Sequence, residues 1–492
     1  LAIGHAALGG AVAGGEFNVA IGNYALDALT SGDYNVAIGY EAGSSLTTHN
    51  SDVLIGYQAG KALSTGDDGV IAIGYQAGLA LTTCSSSVFI GKNAGDGHDT
   101  EDHNMGIGRN SLTGSIAGGE YNVGLGNYTL AALTSGDFNT AIGYISGSAL
   151  TTGSNNTAVG NQSLENHTIG NDNAAFGSGA LNANTEGEQN TAIGRAALGG
   201  NTTADNNTAV GYTALLANTT GEHNIGIGNA AVNGCDTESH NLGIGTDALG
   251  GGSLSGGEQN VAVGNYSLDA LTSGDRNVAI GYNAGTSTTT GYNCIFIGHG
   301  AGAINESGHN NVAIGKDAGY YLTNGDNNTL LGSGAGLSAS PGGQIDTENN
   351  TITIGNDSVA TANVQVDWTV ASDKRDKTDV ENVSIGLNFV NKLQPVTYRW
   401  DKRTNYSDAI PNGEHKEDWL DIGFLAQDVE ELEKQYGYKL DDNTNLTTKL
   451  SEDGSKYGLQ YSKFIPILTK AVQELSAQVT TLQQELKTIK GE

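Results

Sequence analysis

The pentapeptide Asn-Val-Ala-Ile-Gly and its close variants recur at almost constant spacing along most of this chain, as at Asn18 to Gly22, Asn35 to Gly39 and Asn277 to Gly281. The closing glycine falls at positions 4, 22, 39, 56, 74, 91, 108, 126, 143 and onward to 332 and 355, in steps that are nearly all 17 or 18 residues. A fixed period of this size carries one short apolar run per unit, separated by Gly, Asn, Asp and Thr. It predicts a β-solenoid or β-roll, in which each repeat is one coil and neighbouring coils complete the core. At about 4.8 Å per coil, 21 copies predict a shaft on the order of 100 Å long. Within Val-Ala-Ile the side chains alternate, so the β-branched residues are expected to pack inward and the alanine to admit a second layer. Segments such as Asn23 to Leu29 offer Ala and Leu for the opposite wall, and Thr-Ser-Gly-Asp makes the return turn.

Longer echoes overlie the period. Gly14-Gly15-Glu16-Phe17-Asn18 returns at Gly118 to Asn122 and at Gly256 to Asn260, and His98 to His103 is echoed by Cys235 to His240. Block duplication accounts for both.

The repeat composition stops near residue 371. Of 74 glycines only seven lie beyond it, and residues 1–371 carry six basic against 32 acidic residues. The formal net charge of the chain is −31. Phosphate recognition needs clustered Lys or Arg, so this balance argues against nucleic acid or an anionic membrane surface as partner. No apolar run approaches the roughly 20 residues that span a bilayer, so no membrane insertion is expected. Cys84, Cys235 and Cys294 are far apart and lack metal-type spacing, which predicts buried small residues rather than zinc or a disulfide framework. The chain opens at Leu1 within a repeat, which predicts an upstream segment.

The pentads resemble those in the heads of trimeric autotransporter adhesins, which wind three chains into a left-handed parallel β-roll. The period here is longer, and no membrane-barrel anchor of the kind such adhesins carry is expected.

Beyond the switch, three stretches occur in order: Ser372-Asp373-Lys374-Arg375-Asp376-Lys377, Leu393-Gln394-Pro395-Val396-Thr397-Tyr398-Arg399-Trp400, and Gly423-Phe424-Leu425-Ala426-Gln427-Asp428-Val429-Glu430. They resemble the endosialidase-type intramolecular chaperone found at the C-terminus of bacteriophage tail fibres, tailspikes and neck appendages. The resemblance implies that this module trimerises the chain, directs folding of the β-structured part and then cuts itself off. It assigns the cut to the bond between Ala371 and Ser372, with Ser372 as nucleophile and Lys377 as general base. Chemically this is sound, since a serine hydroxyl needs a base to take its proton and a lysine serves when burial disfavours its charged form. By spacing alone, Ser-x4-Lys is equally a solvated charged turn. Asp376 replaces an apolar residue of the family, and a carboxylate beside Lys377 favours the charged lysine and slows base catalysis.

Ile465, Val472, Val479 and Leu486 repeat every seven residues, and Leu468, Leu475, Leu482 and Ile489 follow three positions later. Four heptads of apolar a and d positions predict a parallel coiled coil over 463–490. Val at a with Leu at d suits two strands, so three strands are an implication of the resemblance. A helix packed on its own domain is the plainer alternative.

The expected architecture is therefore mostly β. A trimeric parallel β-roll or β-solenoid shaft spans 1–355, a connector 356–371 leads to the cleavage site, and a small α+β chaperone domain spans 372–492. The expected function is a structural, host-binding phage tail fibre or appendage shaft, assembled in the host cytoplasm and carried in the virion after release of the chaperone. Its partners would be two further copies, a glycan or protein receptor on the host, and other tail proteins through the upstream segment. Serine-lysine endopeptidase activity in cis is the one enzymatic activity expected. Two alternatives remain: a fragment of a polysaccharide-degrading tailspike, whose glycosidase would have to precede Leu1, and a bacterial trimeric surface adhesin. No cofactor or metal is expected. His103, His223 and His240 read as solvated turn residues, and Asp67-Asp68 lacks an EF-hand or calcium-repeat context. Tyr40, Tyr57, Tyr75, Tyr144, Tyr212 and Tyr282, each after a motif glycine, form either a ladder for stacking sugars or packing between coils or chains.

Overall fold

A computed structural model of the chain describes all residues except Val12, Asp67, Ile116, Gly252, Ser253, Ala360, 366–368, Glu452, Asp453 and Glu492. Two compact units are present, Leu1–Asn328 and Thr329–Glu492. Twenty-one parallel strands, from β1 (Ala2–Ile3) to β21 (Ile352–Ile354), form a β-solenoid with one strand of two or three residues per coil. Pairing is between equivalent residues of successive coils: Val19 opposes Val36, and Val36 opposes Val53. Where the step lengthens to 19 residues, Leu242 still opposes Val261, so the extra residues enter turns and leave the register intact.

The conserved form of the pentad follows from its hydrogen bonds. Asn35 donates its backbone amide to Asn18 Oδ1 at 2.9 Å, and Asn18 Nδ2 donates to the Gly32 carbonyl at 2.7 Å. The pattern repeats at Asn139, Asn156 and Asn173, giving an internal amide ladder in which each buried side chain is satisfied at both ends. The motif glycine is required twice over. Gly22 has φ +132°, and a Cβ there would lie 2.4 Å from the Gly39 carbonyl oxygen of the next coil.

The strand faces are the reverse of the sequence expectation. The central residue points into the coil: Ala20, Ala37, Leu54, Phe89 and Phe296 are fully buried. The flanking β-branched residues point outward and are half-buried or exposed, reaching 44% at Ile193 and 40% at Ile280. A three-residue strand turns one side chain inward and two outward, so the central residue takes the inside whatever its size. The opposite wall is built from turns rather than strands. Ala25, Leu26 and Leu29 are buried there, with Leu26 at φ +50° and its amide bonded to the Ala42 carbonyl of the next coil.

His98 occupies the corner that leucine fills in preceding coils, at Leu46, Leu63 and Leu81, and is fully buried against Phe89. Burial pushes its imidazole down to about 3. The unfolded chain, with an ordinary histidine, binds that proton more readily, so stability falls as pH drops below about 6.5 and continues to fall towards 3. At pH 4 the loss is about 3 kcal/mol per chain. His98→Leu is expected to keep its melting temperature between pH 7 and pH 4 better than wild type; parallel curves would contradict this. Burial also pushes the Cys84 and Cys294 thiols up, to about 12 and about 11, which makes them inert.

The echoed Asp-Thr-Glu motifs serve the long turns. Glu101 accepts from the amides of Thr100 and Gly118, and Glu238 from those of Asp236, Thr237 and Gly256. These bonds outweigh burial at Glu238, whose carboxyl lies below its ordinary value.

In the second unit, β20 (Thr329–Leu331) pairs with β21. Beyond them come α1 (Leu387–Val390), a hairpin-like pair β22 (Val396–Tyr398) and β23 (Asp421–Gly423), α2 (Ala426–Gln435), the pair β24 (Thr448–Leu450) and β25 (Tyr457–Leu459), and α3 (Phe464–Lys490). The core is small: Ile385, Phe389, Val429, Leu432, Phe464 and Ile467. Buried Glu433 on α2 ties it to β24, accepting from the Thr447 amide at 2.7 Å and from the Thr447 and Thr448 hydroxyls at 2.6 Å. No helix among the described residues is long and apolar enough to cross a membrane.

Candidate functional site

The segment from Ala371 to Lys377 is exposed and folds around its own charges. Asp373 caps a 3-10 turn over Lys374–Asp376 by accepting the Arg375 amide at 2.9 Å. The Arg375 guanidinium returns to the same carboxylate, with Nη2 to Oδ2 at 2.6 Å. That pairing holds the Asp373 carboxyl below its ordinary value. The closed turn carries Lys377 back towards Ser372, and Lys377 Nζ donates to Ser372 Oγ at 2.6 Å. The two residues singled out in the sequence are thus in direct contact, immediately C-terminal to the Ala371–Ser372 bond. Asp376 ends the turn, and among the described residues no ion pair joins it to Lys377.

In this arrangement the lysine Nζ is the donor and the serine Oγ the acceptor. Base catalysis runs the other way, with a neutral amine accepting the serine proton. Both residues are exposed in the single chain, so what the contact supplies is proximity.

Helix α3 presents two faces. Phe464, Ile467 and Ala471 are buried on the module at 3–4% exposure. The heptad positions face elsewhere, from 44% exposed at Val479 to 82% at Ile489. The helix therefore packs on its own domain through one face and leaves all eight a and d side chains uncovered. Its first half is anchored by Glu474, which accepts the Leu387 amide at 2.8 Å at the start of α1.

The tyrosines after the motif glycines meet one another. Tyr40, Tyr57 and Tyr75 stack with centroids 5.4 and 5.1 Å apart and planes within 12°. Tyr144 meets Tyr128 edge-on, Tyr282 stacks on His299, and Tyr212 lies under Arg195. Both ring faces of Tyr57 and Tyr75 are covered from the neighbouring coils. His103 stacks on Tyr121 and His223 on His240, and among the described residues no three His, Cys, Asp or Glu side chains converge as metal ligands. Asp68 accepts from Asn50 of the preceding coil, while Asp67 lies outside the described residues.

The outward Val and Ile stripe and the split between the two faces of α3 were not among the features singled out in the sequence. The variable size of the central strand residue, Ala, Gly, Leu or Phe, was the available signal for a volume-limited interior.

Residues 372–438 match the family described as Peptidase_S74, chaperone of endosialidase. No curated protein and no solved structure matches the chain.

Proposed function

We propose that the chain is the self-processing precursor of a bacteriophage tail-fibre or appendage shaft, in which three copies align through the C-terminal module and their β-solenoids pack along a common axis. A chaperone-of-endosialidase domain behind a β-solenoid supports a tail-fibre-like structural protein. The observation that supports self-association is α3, whose eight heptad side chains stand exposed while a separate face docks on the module, and the number three comes from the resemblance to the chaperone family. Isolated apolar side chains on a surface are ordinary, but eight in an a/d seam are what a coiled coil buries. The shaft supports the same reading, since the last residue of each solenoid strand, Ile, Val, Leu or Phe, faces outward and lines up coil upon coil into a continuous apolar row. In the trimer a neighbouring chain covers Ser372 and Lys377, the lysine amine takes the Ser372 hydroxyl proton as the oxygen attacks the Ala371 carbonyl, the Ala371–Ser372 amide bond breaks as that proton passes to the Ser372 nitrogen, and water hydrolyses the ester to free the Ala371 carboxylate and the Ser372 hydroxyl. The released shaft serves in the virion as a host-attachment element for a surface glycan or protein.

Mass spectrometry of purified virions tests this. Peptides from 1–371 should be present and those from 372–492 depleted. Absence of both from virions, with the protein found instead on a bacterial surface, would overturn the reading.

A further inference from the structure

Two longitudinal rails border the outward Val and Ile stripe. The first is the position two residues before the motif asparagine, which carries a carboxylate in twelve of the 19 coils from Glu16 to Asp326. Its aspartates are held at the strand edge by the coil before: the Glu16 amide donates to Asp33 Oδ1 at 2.6 Å, and the Glu188 amide to Asp205 Oδ1 at 2.6 Å. The second rail is the position after the motif glycine. In the 19 coils from His5 to Lys316 it holds no carboxylate, all six tyrosines of the ladder, and four of the six basic residues of the first 371: Lys92, Arg109, Arg195 and Lys316. Lys92, Arg109 and Arg195 lie over the rings of Tyr75, Tyr128 and Tyr212 at 5.5 to 5.8 Å. Among the described residues no ion pair joins these three to a carboxylate. Within one chain the strand separates the rails by up to about 20 Å.

Cyclic packing of identical chains is heterologous, so one edge of each copy meets the opposite edge of the next. We propose that the acidic rail of each copy pairs with the tyrosine, lysine and arginine rail of its neighbour, and that the sparse cations set the axial register of the three shafts. This rests on the trimer reading above. The outward row at the last strand position is apolar in every coil and so accepts a one-coil slip. The cations differ from coil to coil. One coil beyond Lys92, Arg109, Arg195 and Lys316, the acidic rail presents Asp102, Glu120, Asp205 and Asp326. Aligned neighbours, offset by the twist of the bundle, would bring each cation to a carboxylate, and the tyrosine hydroxyls at the ring edges would donate to the others. A second copy fits this surface better than a glycan, because the ring faces are already stacked and the surface charges complement each other.

The test places cysteines at Arg195 and Asp205 in the full-length chain, which is then treated with a short bismaleimide. Denaturing gels should show linked dimers and closed trimers for Arg195→Cys/Asp205→Cys and unlinked chains for either single variant. Light scattering on the untreated sample separates the failures. Three chains by mass with no linked product would overturn the rail pairing alone, and one chain by mass would overturn the trimer and the pairing together. Reversing Lys92, Arg109 and Arg195 to Glu should lower the yield of soluble trimer several-fold, and adding Asp102→Lys, Glu120→Lys and Asp205→Lys should restore it. No restoration, with the trimer intact, would count against the pairing.

Discussion

Replacing Ser372 by alanine is expected to convert a protein recovered as two fragments, 1–371 and 372–492, into one intact chain. The expectation rests on a short chain of causes. The Asp373–Arg375 pair closes the turn, the turn sets Lys377 Nζ 2.6 Å from Ser372 Oγ, and the pair adjoins the bond to be cut. Removing the hydroxyl removes the nucleophile, and losses for such groups run to several powers of ten in rate. Lys377→Ala should behave alike. Asp376→Leu, which restores the apolar residue that the resemblance implies at this position, should speed cleavage. Both alanine variants should remain trimeric, which distinguishes lost chemistry from lost folding. Mass spectrometry after prolonged incubation reads the outcome, and an intact wild-type chain would refute the cleavage.

The second large effect is expected from deleting 372–492. Equivalent residues pair from coil to coil throughout the solenoid, as Val278 with Ile295 and Val261 with Val278, so three chains could associate in many offsets of nearly equal energy. A module that joins the three C-termini sets the alignment before the shafts zip together. Without it, the apolar stripe should drive misregistered association, and the expected product is insoluble or heterogeneous in size. A soluble, folded, monomeric shaft would contradict this. Cleavage after folding should leave the shaft stable, since each coil is held by its neighbours.

Much of the fold was legible because the solenoid repeats its physics. The 17-residue step, the asparagine and the glycine each answer one local requirement, and reading the period located every strand of the solenoid. The facing of the strand was misread because alternation defines two faces without saying which is enclosed. The clue lay in compensating sizes: Phe89 is flanked in the adjacent coils by Ala72 and Gly106, and Phe296 by Ala279 and Ala313, as packing inside a fixed volume demands. Charge was legible as a total and not as a pattern, since the rails emerge only when the coils are superposed. At the candidate site, Ser372 and Lys377 were found through their resemblance to a family. The ion pair that brings them together is set by Asp373 and Arg375, whose roles depend on the turn between them.

The central claim is that three copies assemble through the C-terminal module. Light scattering of the full-length Ser372→Ala chain tests it most directly, because cleavage then leaves the mass unaltered. The account predicts a particle of three 50.3 kDa chains that persists on dilution. A single-chain mass for a folded, soluble protein would contradict it.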